Sequence, residues 1–94
     1  MELKHEDDGK RGAHFMTEGA ERVAEMTYVR AGERRIIIDH TFVDESLRGQ
    51  DVGHKLLDAT VEFARIEGYK VLATCAFAKA QLERHREKYV DVLG

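Results

Sequence analysis

The sequence has no proline, no tryptophan and one cysteine in 94 residues. Without proline, the turns must come from glycine and from Asp-type side chains, and 8 glycines are present to make them. A lone cysteine cannot close an internal disulfide. No apolar run approaches the roughly 20 residues that a membrane helix needs. The start, Met1 to Asp8, has no apolar stretch of the signal-peptide kind. A soluble, cytoplasmic protein with no membrane partner is the expectation. Positive charge is also short, with 15 Lys and Arg against 18 Asp and Glu, a net charge of -3. Such a surface does not bind nucleic acid as a whole. His5, His14, His54 and His85 show no ligand spacing, so no metal is expected.

What remains is 43% hydrophobic and 35% charged, the balance of a globular chain. The length predicts one domain over residues 1–94 with a small core. Residues 2–6 and 11–17 read as two strands around Asp7-Asp8-Gly9-Lys10, a hairpin signal. A third strand is expected over 21–30, and a fourth, the strongest, over 34–43. Its three consecutive isoleucines suit a strand buried on both faces. Simple alternation puts Ile36, Ile38, His40 and Phe42 on one face, and Ile37, Asp39, Thr41 and Val43 on the other. By that reading Asp39 cannot orient the His40 ring.

From residue 50 the period changes. Val52, Leu56, Ala59, Thr60 and Phe63 make a helical stripe to about Glu67, and Gly68 suits the residue after its end. Lys70 to Cys75 reads as a short buried strand, parallel to the fourth. A second helix follows over 76–87, with residues 89–94 packing back on it. The charged run 83–88 reads as an exposed helix face with i, i+4 pairs. The expected fold is α/β (α+β in layered terms): a mixed five-stranded sheet in the order β-β-β-β-α-β-α, with a helix on each side. In such sheets ligands sit at the carboxyl ends of the parallel pair. That gathers Thr41 to Val43, Arg48 to His54 and Cys75 to Lys79 around one cleft.

Arg48-Gly49-Gln50-Asp51-Val52-Gly53 follows a strand and opens a helix. Amides at a helix start are unpaired and the dipole adds positive charge there, so this stretch is suited to an anion. The segment resembles motif A of the Gcn5-related N-acetyltransferases, whose pattern is Arg or Gln, two residues, Gly, one residue, then Gly or Ala. Asp39-His40-Thr41 and Thr74-Cys75-Ala76-Phe77-Ala78-Lys79 are similar to a small single-domain branch of that superfamily, the YjdJ-like proteins. Arg48 and Gly53 match motif A. Asp51 stands where the family has Gly, and its carboxylate would repel a phosphate.

The resemblance implies a minimal fold of the family, lacking the extra helices and strands of fuller members. It also implies acetyl-CoA as cosubstrate, no metal, and an unidentified amine or protein acceptor. The implied cofactor-binding residues are Thr41, Phe42, Val43, Arg48, Gly49, Gln50, Asp51, Val52, Gly53, His54, Phe77 and Lys79. Cys75 and His40 are the catalytic candidates. Cys75 is read either as a thiol that takes part in transfer or as a small buried hydrophobe. His40 is read either as a general base or as a core histidine. Tyr89 is a further candidate proton donor. Two other functions stand beside the enzyme: a CoA-binding module without turnover, and an interaction domain that has lost the cofactor through Asp51. An exposed first strand leaves a monomer or a weak dimer open.

Overall fold

The structure is a computed structural model that describes all 94 residues. Four antiparallel strands run in sequence: β1 (Glu2–Asp7), β2 (Arg11–Glu18), β3 (Glu21–Arg30) and β4 (Arg35–Val43). A 3-10 turn (Glu45–Leu47) leads to α1 (Val52–Glu67), and β5 (Lys70–Ala73) then joins β4 in parallel. The chain closes with α2 (Ala76–Arg84) and α3 (Arg86–Tyr89). The sheet order is β1-β2-β3-β4-β5. No helix is long and apolar enough to cross a membrane.

Local chemistry explains the connections. In the first hairpin, Asp7 accepts from the Gly9 amide at 2.7 Å and Asp8 from those of Lys10 and Arg11 at 2.8 Å. Gly68 ends α1 at φ 77°, where its amide reaches the carbonyls of Ala64 and Arg65. The second helix is shorter than its periodicity predicts and breaks at His85. The expected i, i+4 pairs of its charged run are replaced by ties to α1: Lys88 reaches Asp58 at 3.0 Å. Beyond α3 the tail runs alongside β5, where the Val71 amide donates to the Val92 carbonyl at 2.6 Å.

One apolar cluster forms the core. It joins Met26, Tyr28, Ile36, Ile38 and Val71 of the sheet to Val52, Leu56, Leu57 and Val61 of α1, Leu82 of α2 and Tyr89 of α3. All the helices therefore serve the same face of the sheet, not one on each side. The opposite face is open, and Phe42 and Leu72 on it stay 44% and 38% exposed.

Two irregularities decide which side chains reach that open face. In the β3–β4 ladder Thr27 lies opposite His40 but Tyr28 lies opposite Ile38, which leaves Asp39 as an extra residue. In the β2–β3 ladder Thr17 lies opposite Arg22 and Met16 opposite Ala24, with Val23 extra. Each is a bulge, and a bulge switches the face of every residue after it. The simple alternation expected along β4 fails here. Asp39, His40 and Phe42 lie on the open face, while Thr41 and Val43 return to the helix side, opposite Met26 and Ala24. Asp39 and His40 therefore share a face. The Asp39 carboxylate is taken up by Thr27 Oγ1 at 2.6 Å and Arg11 at 2.8 Å.

Candidate functional site

Pairing of β4 with β5 stops at Ile38–Ala73. There the amides of Thr74 and Cys75 both donate to the Ile38 carbonyl, at 2.9 and 3.2 Å. The chain then turns into α2. Residues 39–43 of β4 are left with no strand on their β5 side, so the sheet opens into a slit. Across it, Thr41 Oγ1 and Cys75 Sγ lie 3.1 Å apart, both half-buried. Cys75 is the N-cap of α2, not the last strand residue.

The start of α1 lies beside this slit. Asp44 caps the 3-10 turn through the Ser46 amide at 2.9 Å. The Arg48 and Gln50 amides donate back to Glu45 and Leu47, and the first bond of α1 is Lys55 N–H to Asp51 at 3.0 Å. The amides of Gly49, Asp51, Val52, Gly53 and His54 have no protein acceptor. Unpaired donors at the positive end of a 16-residue helix form a site for an anion.

Three residues shape this site in ways the motif alone does not. Gly49 turns the loop at φ 82°. Asp51 also sits in the left-handed region, at φ 55°, with its side chain exposed and making no cap hydrogen bond. It is the only residue other than glycine with positive φ. The position that holds Gly in the family pattern is thus one where the backbone itself favours Gly. At Gly53 an added Cβ would lie 2.8 Å from the Phe77 ring. Gly53 lets α2 close on the start of α1, with Phe77 between them.

The other expected residues divide. Val52 is buried in the core, Val43 is half-buried, and Gln50 is exposed in the loop. The half-buried His54 ring lies 5.8 Å from Phe77 and 5.9 Å from His85, between the helices. Arg48 and Lys79 are exposed cations. Phe42 is on the open face, as is His40, whose Nε2 lies 3.9 Å from Glu25 Oε2. His40 is therefore not a core histidine. Tyr89 is 1% exposed and donates to Asp58 at 2.8 Å. Burial and the Asp58 carboxylate raise its pKa. It is a packing residue against α1 and does not line the slit. No group of His, Cys, Asp and Glu side chains could hold a metal ion.

Glu25 and Arg22 are polar neighbours of the site that the sequence does not reveal. Both lie on β3, and only the bulges bring Arg22 and His40 to the face that Glu25 occupies. No residue type in this stretch announces a bulge.

A family profile described as GCN5-related N-acetyl-transferase matches residues 13–92. Among solved structures, the chain is similar to a GCN5-like protein of Staphylococcus aureus, a candidate N-acetyltransferase solved by NMR. The identity is 39%, over 98% of this chain and 88% of that one, with a TM-score of 0.72. Two more distant structures share the fold. One is ribosomal-protein-alanine N-acetyltransferase of Brucella melitensis biovar Abortus 2308, at 17% identity over 83% of this chain and 62% of that one, with TM-score 0.70. The other is an aminoglycoside acetyltransferase from an uncultured soil metagenomic sample, in complex with sisomicin. Its identity is 17%, over 86% of this chain and 58% of that one, with TM-score 0.64. No curated protein matches the sequence.

Proposed function

This chain belongs to the GCN5-related N-acetyltransferases, and we propose that it moves the acetyl group of acetyl-CoA to an amine at the slit between β4 and α2. The observation that carries this reading is the set of unpartnered amides of Gly49 and of Asp51 to His54, opening beside the strand-free part of β4. The amides would hold the pyrophosphate. Arg48 and Lys79 would add positive charge to the phosphates. Thr41 to Val43 and Phe77 would line the arm that leads to Cys75. The fit is good except at Asp51, whose carboxylate stands among the donors.

The chemistry needs little more than these residues. An acceptor ammonium gives one proton to a base, for which His40 is the candidate. The free amine then attacks the thioester carbonyl, the C–S bond breaks, and the second amine proton goes to the departing thiolate. The products are an amide and the free thiol, with the first proton passing from His40 to solvent. Cys75 allows a second route, in which its thiolate takes the acetyl group first and the amine takes it from Cys75 afterwards. Its half-buried place at the slit, with Thr41 as hydrogen-bond partner, supports a part in transfer.

Three measurements test the proposal. Acetyl-CoA titrated into labelled protein should shift the amides of residues 48–54; no response at millimolar ligand rules out both enzyme and binder and leaves an interaction domain. Thiol release with a panel of amines then separates enzyme from binder. Intact mass after incubation with acetyl-CoA separates the routes. An acetyl adduct lost in Cys75→Ala supports the thioester route, and turnover retained in that variant supports direct attack. A binder without turnover is the second reading, and Asp51 favours it, because weak cofactor binding would limit any reaction.

A further inference from the structure

Two bulges in adjacent strands do the same thing. The one at Asp39 moves His40 off the core face, and the one at Val23 moves Arg22 off it. Both side chains then stand on the open face with Glu25, which lies between them. Bulges gather next to active sites because they re-aim single side chains.

The result is a connected row. Arg22 stacks over the Phe15 ring at 3.8 Å and bonds Glu6 at 3.1 Å. Its Nε lies 3.5 Å from Glu25 Oε1. The other Glu25 oxygen, Oε2, is the one 3.9 Å from His40 Nε2. The Glu25 side chain is 29% exposed and His40's is 58% exposed, so the carboxylate is the more enclosed partner and the ring stands nearer to solvent. The charged groups facing His40 are Glu25 and Arg22 from β3 and Asp39 from its own strand. Asp39 is already held by Thr27 and Arg11.

We propose that Glu25 is a positioning residue for acetyl transfer: paired with Arg22, its carboxylate faces Nε2 of the His40 ring at charge-pair distance and favours the ring orientation that leaves Nδ1 to take the proton from the acceptor ammonium. This rests on the reading of the site as an acetyltransferase with His40 as its base. The proton moves from the acceptor nitrogen to Nδ1, and the imidazolium so formed faces the Glu25 carboxylate. It returns the proton to solvent after transfer. Asp39, the sequence neighbour of His40, has no part in this.

The test uses Glu25→Gln in the full chain, with Glu25→Asp as the conservative variant. Glu25→Gln should lower kcat for the acceptor about 1.5- to 5-fold, the range of a partly exposed charge pair, with the KM for acetyl-CoA unchanged. In a His40→Gln background the residual rate should not respond to Glu25→Gln. Glu25→Asp should keep part of the wild-type rate. An equal loss with and without His40 overturns the pairing. Full activity in Glu25→Gln, or in His40→Gln, overturns the catalytic role yet leaves the acetyltransferase reading standing. A wild-type protein that binds acetyl-CoA but acetylates no amine overturns both. A merely structural Glu25 would move the unfolding midpoint and lower the rate equally in the two backgrounds.

Discussion

At the scale of single residues, Asp51 and Gly53 carry the sharpest expectations. Asp51 holds a left-handed backbone without a side-chain bond in return. Asp51→Gly relieves that backbone but loosens the unfolded chain, two effects of similar size. Stability should change by less than about 1 kcal/mol by urea unfolding. Affinity should change more. A like-charge pair at about 4 Å is worth roughly 1 to 4 kcal/mol between water and a protein surface. Because Asp51 is exposed, the lower end applies, so acetyl-CoA should bind about fivefold tighter to Asp51→Gly, with the gain shrinking in high salt. Equal affinity would sink the repulsion argument. Gly53 is a steric requirement. Gly53→Ala puts a methyl into the Phe77 ring and should cost about 1 kcal/mol, even though alanine is the better helix former. The double variant with Phe77→Leu should recover that loss. Both glycine positions were legible as a motif, Arg48 to Gly53. That Gly53 meets Phe77 was not, because the contact joins residues 24 apart in the chain.

At the scale of elements, the first two strands carry a pH dependence. His14 is 5% exposed on β2 and its Nδ1 lies 3.0 Å from Thr60 Oγ1. The Thr60 hydroxyl donates to the Leu56 carbonyl, so it accepts from the ring. On its other side His14 stacks on His5 of β1, with centroids 4.1 Å apart and 4° between planes. Burial first, and the His5 charge second, lower the His14 pKa from 6.5 to about 4. A histidine depressed in the fold binds its proton more readily unfolded. Its stability contribution is therefore full above pH 6.5 and falls as pH drops toward 4. The loss should be on the order of 2 kcal/mol, read as a falling urea midpoint across that window. His14→Phe keeps the stack and should flatten the curve; an unchanged slope would remove His14 as the cause. Asp7, Asp39 and Asp58, all held low by their hydrogen bonds, add their losses only at lower pH. The strands themselves were plain in the sequence, with β3 matching to the residue. The bulges were not: a ladder register depends on the partner strand, so Asp39 and Val23 look like ordinary alternation until the pairing is known.

At the scale of the molecule, the arrangement of layers is what the sequence left unspecified. Hydrophobic periodicity says that β4 and β5 are apolar on both sides, and three isoleucines in a row suggest cover from both sides. The structure covers one side only. Ile37 is half-buried and Leu72 is exposed on the face without helices, while Ile36, Ile38 and Val71 are enclosed. Larger proteins of the same fold are longer than this chain, which spans 62% and 58% of two of them. Adjacent residues on β5 test the layering directly. Val71 is 1% exposed and contacts the core; Leu72 points the other way. Val71→Ala should cost about 2 kcal/mol, a buried truncation. Leu72→Ala removes more carbon but from a side chain that is 38% exposed, and should cost less, about 1 kcal/mol. Both are read from urea midpoints at constant slope. If the two truncations cost the same, the second face is covered in solution, and the approach of an acceptor to His40 across that face would be closed.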